Sequence, residues 1–359
     1  MIIPAPLSLP RLGLLLALIV TPVALAAQTE VQSAAAHCVE IAGPPDAGVP
    51  VSPEAQASAQ AALDAAAPYC RQAMADDAAT PEVLFHIGVM RQATGYHDAA
   101  IAAFEAAAGA GLAAAETKLG DYHLFGIGPL RRDAETAAEH FRAGAEGGDP
   151  AAQMTLGLLH RLGAGVPRDT GRMVDLMRQA ADAGYHFAQF RLGQTYLTGE
   201  GIPGGQDDAL GIPDRDTAAR YLAMAAEQGN MEAVLELARL YGERDGAGLG
   251  DPAQQFIWTS RAAEEGLPGA IAALGFLYER GRGVEANPER AASLYVEAME
   301  TGDVGLDDLR GQVGGYVPRW DRQTAIALQL ILQERGLYRG AIDGIIGPMS
   351  RAAARALAD

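Results

Sequence analysis

Seven histidines, two cysteines and a series of Gly-x-Gly pairs are the residues of this 359-residue chain whose types could do chemistry. Histidine ligates zinc or moves protons, Gly-x-Gly cradles phosphate, and paired cysteines bridge or hold metal. The spacing argues against most of these uses. His37, His86, His97, His123, His140, His160 and His186 are scattered, and the chain has no H-E-x-x-H, no G-x-S-x-G and no Walker loop. The Gly-x-Gly pairs recur at 126/128, 163/165, 199/201, 246/248 and 281/283, each after a helix-like rather than a strand-like run. They therefore read as helix terminators, not nucleotide loops. Acidic residues are many and dispersed, as on solvated helix faces. We expect no catalytic, cofactor-binding or metal-binding constellation, and hence no enzyme.

The cysteines, Cys38 and Cys70, lie beyond a leader with export character. Arg11 precedes the apolar run Leu12–Val20, Pro22 breaks it, and Ala24-Leu25-Ala26 is an A-x-A cleavage signal. We expect a signal peptide over 1–26, with an uncleaved anchor as the alternative. A periplasmic or secreted location follows, with no stable membrane insertion after cleavage. In an oxidising compartment the cysteine pair is expected to form a disulfide, two buried thiols being the alternative. The chain carries 45 acids against 27 bases, for a net charge of −18, and Lys118 is its one lysine. Such a field disfavours nucleic acid. The six arginines at 319, 322, 335, 339, 351 and 355 make the C-terminal stretch basic, which marks it off from the acidic remainder.

The elements that position these residues are read from two small-residue columns. Gly120, Gly157, Gly193, Ala238 and Gly275 form one, and Gly148, Gly184, Gly229, Gly266 and Gly302 the other. Steps are 36 or 37 residues, with one of 45. A fixed period of this length means stacked helical hairpins. Each unit has an Ala- and Leu-rich helix A, a Gly-x-Gly turn, a second Ala-rich helix B and a closing Gly. The small residue midway along helix A lets helix B approach closely. His123, His160, Tyr196, Tyr241 and Tyr278 form a column three residues after it, so its two histidines read as packing residues. His140, Leu176, Tyr221, Trp258 and Leu294 of helix B are expected to wedge between neighbouring hairpins. Repeat three carries about nine extra residues within 203–215, and repeat four has Ala238 and a lengthened turn.

Leu156-Gly157, His160, Gly163-Ala-Gly165-Val166 and Ala180-Ala181-Asp-Ala-Gly184 together resemble a Sel-like repeat, a relative of the tetratricopeptide repeat, as do Leu274-Gly275, Tyr278 and Gly281-Arg-Gly283-Val284. Five such units span 113–302. The resemblance implies an all-α, right-handed α-solenoid of stacked helix pairs that binds periplasmic protein partners along its surface. Residues 81–112 look like a plain tetratricopeptide unit, with 27–80 as a helical cap holding the cysteines.

After a linker at 303–316 the period stops. Leu328-Gln329, Gly336, Tyr338-Arg339-Gly340, Ile342-Asp343-Gly344 and Gly347-Pro348-Met-Ser350 are similar to the small peptidoglycan-binding domain of bacterial wall enzymes. The resemblance implies a three-helix module over 317–359, its last helix short, that docks on peptidoglycan. Tyr338, Arg339, Asp343, Ser350 and Arg351 are the candidate contacts, a Tyr face for sugar and Arg for stem-peptide carboxylates; for Asp343, with Gly344 and Gly347, a purely structural role in the turn is the alternative. The expected protein is a non-enzymatic exported scaffold tethered to the wall; the alternative is a regulatory or accessory solenoid for a cell-wall or polysaccharide enzyme, its C-terminal module only a cap.

Overall fold

The computed structural model describes residues 34–45, 53–202, 211–242, 249–311 and 317–357. The segment expected to be a signal peptide, most of the repeat-three insertion, the Gly246/Gly248 turn and the last third of the expected linker lie outside them. A short helix α1 (34–42) is followed by α2 (Pro53–Ala75). Six helix pairs come next: α3 (Pro81–Ala93) with α4 (His97–Gly109), α5 (Ala113–Phe125) with α6 (Ala134–Glu146), and α7 (Pro150–Leu162) with α8 (Thr170–Asp182). Then come α9 (His186–Thr198) with α10 (Arg215–Glu227), α11 (Met231–Gly242) with α12 (Pro252–Glu264), and α13 (Pro268–Arg280) with α14 (Pro288–Glu300). The chain ends with α15 (Arg322–Glu334) and α16 (Pro348–Arg355). Each helix packs on its partner in the pair and on the next helix in sequence, giving an all-α solenoid of stacked pairs.

Eleven of the twelve paired helices have 13 residues, so they can be numbered in common. The small residue of helix A is position 8, and it faces position 8 of helix B. A Cβ on Gly120 would meet the Phe141 ring at 2.9 Å, one on Gly193 would meet Leu222 at 2.7 Å, and one on Gly275 the Tyr295 ring at 2.8 Å. The plain unit uses the same device, Gly88 against Phe104. Repeat four departs in both places, with Ala238 at position 8 of α11 and the smaller Thr259, buried, at position 8 of α12. The helix B column expected to wedge is position 7. Tyr221 does reach back, donating to Asp182 of the preceding repeat at 3.1 Å, and Leu176 joins the core of repeat one. His140 instead stacks on His123 of its own repeat at 5.4 Å. The residue that fills the glycine row is the next one along, which alternating Ala-rich runs conceal.

Helix B starts on a side-chain cap in every Sel-like repeat: Asp133, Asp169, Asp214, Asp251 and Asn287 each accept from backbone N–H groups of the first turn. The second glycine of the turn has a different task from the first. Gly165, at φ +70°, abuts the first residue of the preceding helix B so closely that a Cβ would lie 2.0 Å from Ala134 O. It thereby locks one hairpin onto the previous one. The insertion of repeat three is pinned at its base, where the Gly211 N–H donates to Gly199 O at 2.6 Å.

At the N-terminal end a Cys38–Cys70 disulfide joins α1 to α2. Both cysteines are fully buried, among Ala34, Ala66, Ala73 and the outer residues Val83 and Ile87 of α3. The C-terminal end differs from expectation. Residues 303–311 are not a free linker, since Leu306 and Leu309 are buried in the core shared by repeats four and five. The described part of the C-terminal module has two helices rather than three. Repeat five supplies the third packing element, because α15 lies against α14 and Leu328, Leu332, Ala353 and Ala354 continue the solenoid core. The glycines and proline between Gly336 and Pro348 keep that stretch out of helix.

Candidate protein-binding face

A candidate binding surface follows from the same numbering. Position 7 of each A helix is a core aliphatic and position 8 is small, so positions 6 and 9, one turn apart, are left on the opposite side. Along α5, α7, α9, α11 and α13 position 6 reads Lys118, Thr155, Arg191, Glu236, Ala273. Position 9 reads Asp121, Leu158, Gln194, Arg239, Phe276. These ten residues line three concavities that succeed one another along the A-helix face. Sequence reasoning passed over them because it followed the constant columns. Their signal was the reverse, two columns that change chemistry in each repeat while their neighbours do not.

The first concavity, about 330 Å³, lies between α3, α5 and α7. Phe85 and Val89 form its apolar side, and Lys118, Asp121, Asp149 and Tyr185 its polar side. Asp149 is buried, its Oδ2 accepting from both Thr117 Oγ1 at 2.5 Å and Ala152 N at 2.9 Å. Asp121 accepts no hydrogen bond from any described residue. Burial pushes its carboxyl up to about 6, with Lys118 opposing and Asp149 adding to the rise. Burial likewise pushes the Tyr185 hydroxyl up to about 12.

The second concavity, about 470 Å³, spans α7, α9 and α11 over a floor of Leu158, Met173 and Met177. Arg161 donates through Nε to both oxygens of Glu200 at 2.9 Å, and Arg239 pairs with Glu236 at 2.5 Å. Arg191 differs. Its guanidinium reaches the neutral Gln194 Oε1 at 3.2 Å and pairs with no carboxylate of the described residues. The third concavity, about 310 Å³, sits between α13 and 304–311 and is mostly apolar, with Phe276, Leu277 and Leu309.

The C-terminal candidates are distributed differently from their expected roles. Tyr338 is buried, and its hydroxyl donates to Ala341 O at 2.8 Å, so its ring face is not free for a sugar. Ser350 is buried at 1% exposure. Asp343 is exposed but tied into its own turn, accepting from Ile345 N at 2.8 Å and from Gln329 Nε2 at 3.1 Å; these bonds hold its carboxyl below the usual range. Arg351 is paired with Asp307. Arg339 stays exposed on the same module as the exposed Ile345 and Met349. The organiser is Gln329, fully buried, whose Oε1 accepts from Asp343 N and Gly344 N and whose Nε2 donates to Ile345 O. The resemblance motif is thus tied together by its own hydrogen bonds, around Gln329.

A second buried hub joins this module to repeat five. The Glu279 carboxylate accepts from Tyr295 Oη at 2.6 Å and from Asp321 N at 2.9 Å, and Arg280 lies 3.3 Å away. Burial, with Glu279 beside it, pushes the Tyr295 hydroxyl up. Arg310 stacks over Trp320 at 4.1 Å and donates to Pro318 O. Among the described residues no three His, Cys, Asp or Glu side chains converge as a metal site, and no helix is long and apolar enough to cross a membrane. His123 and His140 stack half-buried, and burial lowers the His123 imidazole.

A solenoid with constant packing columns and variable face columns is a binding scaffold by class. The Sel1 repeat family matches five consecutive segments, 113–149, 150–185, 186–230, 232–267 and 268–303, more than half of the chain, and the chain belongs to that family. It is similar to the chitin synthase regulator SKT5 of Saccharomyces cerevisiae, 33% identical over 144 residues, 40% of this chain and 20% of that protein. It is also similar to chitin synthase regulatory factor 3 of Schizosaccharomyces pombe, 29% identical over 201 residues, 55% of this chain and 21% of that one. The chain thus spans about a fifth of the length of these two relatives. Among solved structures, a Sel1 repeat protein from Oxalobacter formigenes matches with a TM-score of 0.51 and 20% identity, over 69% of this chain and 98% of that one, a likeness of fold.

Proposed function

We propose that this protein is a non-catalytic, exported adaptor that holds a segment of a partner protein on its A-helix face. The observation that carries this reading is the pair of variable columns, positions 6 and 9, set on a scaffold whose packing positions repeat. Invariant packing builds rigidity, and rigid scaffolds reduce the entropy lost on binding. The two fungal relatives are named as regulators of a polysaccharide synthase, which supports a regulatory role carried out by protein contact. Photocrosslinking residues placed at Thr155 and Gln194, with Glu139 on helix B as the control, test the reading in the native organism. Adducts of one mass at 155 and 194, absent at 139, are expected; equal labelling at all three, or none at 155 and 194, overturns it.

The second element of the proposal is wall attachment. With Tyr338 and Ser350 in the core and Arg351 paired, peptidoglycan binding rests on the exposed Arg339 edge of the module. The buried Glu279 hub favours the other reading, in which the module only caps the solenoid. Deleting 317–359 would strip the apolar face of α14, so a point variant separates the two better. Co-sedimentation with isolated sacculi that is present in the full chain and lost in Arg339→Glu supports attachment. Absence of sedimentation in the full chain leaves the cap reading.

A further inference from the structure

The A-helix face is not uniform in charge, and the difference identifies what would lie on it. In the first concavity Asp121 is a carboxylate without a hydrogen-bond donor among the described residues, next to a second carboxylate, Asp149, which is held by Thr117 and the start of α7. Its one charged counterweight is Lys118. In the second concavity Arg161 and Arg239 are matched by Glu200 and Glu236, and Arg191 is left over. Its guanidinium is exposed at the edge of the concavity, open to an acidic side chain. Leu158 and Leu197 beside it are half-buried and offer apolar surface, while Met173 and Met177 beneath them are buried.

We infer that the face takes an extended peptide segment with a basic side chain at Asp121 and an acidic side chain at Arg191, an apolar residue next to the acidic one lying against Leu158 and Leu197. The inference rests on the adaptor reading above and names the partner's chemistry. The charges must be spaced to match the solenoid. Asp121 is on α5 and Arg191 on α9, with α7 between them; directly packed helix axes lie about 8–10 Å apart and α7 packs on α8 rather than on α9, so the gap is at least roughly 16–20 Å. An extended chain advances about 3.3 Å per residue, which sets the basic and acidic residues at least about five or six positions apart. A segment with both charges of one sign leaves one concavity unpaired, so the face selects against it.

Panning a phage-displayed random dodecapeptide library on the full-length oxidised protein tests this. Enriched peptides are expected to carry Lys or Arg and Asp or Glu at one fixed spacing, at least about five or six positions apart. A synthetic peptide of that sequence should bind Arg191→Glu and Asp121→Asn each about ten- to hundred-fold more weakly, the range for one charge-assisted contact. Exchanging the acidic residue of the peptide for lysine should restore binding to Arg191→Glu, a rescue that misfolding cannot mimic. Peptides that compete for the face without the charge pair, or whose affinity ignores both variants, overturn the inference and leave the adaptor reading standing. Enrichment of no peptide at all overturns the inference and counts against the adaptor reading too.

Discussion

Replacing Gly120 by alanine sets two well-measured effects against each other. The change favours helix α5 by about 1 kcal/mol, because alanine loses less backbone entropy than glycine. The new methyl, however, would stand 2.9 Å from Cε1 and Cζ of Phe141, whose ring is fully buried. Carbon atoms settle at about 3.5–4.0 Å, so the ring has to retreat by roughly 0.6–1 Å. A close-packed hairpin yields to such an intrusion at a cost of about 1–3 kcal/mol. The net expectation is a loss of about 1 kcal/mol, with Phe141 as the opposing group. Urea unfolding of the oxidised protein, followed by circular dichroism, gives the sign. A double-mutant cycle with Phe141→Leu gives the cause: the smaller side chain should relieve the penalty, with a coupling of about 1 kcal/mol or more. Repeat four already combines the two changes, Ala238 with Thr259. Gly109, the last residue of α4, has open space around its Cβ position, so Gly109→Ala should be neutral or stabilising by about 0.5 kcal/mol. A Gly120→Ala protein as stable as its parent, or a cycle with no coupling, would refute the position 8 argument.

Three further outcomes are expected. The Asp121 carboxyl is raised to about 6 in the folded state, which therefore binds more protons than the unfolded chain between the ordinary value near 4 and about 6. Stability should fall as pH rises through that window and level off above it; Asp121→Asn should flatten the curve and gain up to about 3 kcal/mol at pH 7, as chemical denaturation at pH 4, 5, 6 and 7 would reveal. Glu279→Leu leaves Tyr295 Oη and Asp321 N without an acceptor, at a cost of about 2–4 kcal/mol, and hydrogen exchange should quicken in α15 and α16 before the central repeats. Reducing the Cys38–Cys70 bridge, whose cysteines are 32 residues apart, should cost about 4 kcal/mol in the chain-entropy view, with faster exchange confined to α1, α2 and the α3 surface they cover.

The repeat, its period and its two turns were legible in the amino-acid sequence for a simple reason. Positive φ and close helix approach are demands that few residues other than glycine satisfy, so a stacked hairpin writes its geometry into the chain at regular intervals. Cys38 and Cys70 were legible as a pair for the same kind of reason, since their chemistry is specific to the residue. The binding face was not legible by that route. Lys118, Asp121 and Arg191 obey no packing rule, and their meaning comes from neighbours 30 to 70 residues away on adjacent A helices. Nor could local sequence tell a contact from a core residue in the C-terminal module. Tyr338 and Ser350 have surface chemistry, but Gln329 draws the turn around itself and buries them.

What the sequence determined alone is therefore whatever a single residue's backbone or covalent chemistry imposes: helix ends, turns, the disulfide pair and the rhythm of the solenoid. What tertiary structure decided is which side chains meet. Stacking placed a donorless carboxylate and an unmatched guanidinium on one face, and it fused a module that reads as separate onto the last repeat through Glu279. Both results depend on the summed geometry of several hairpins, a quantity that no individual hairpin contains.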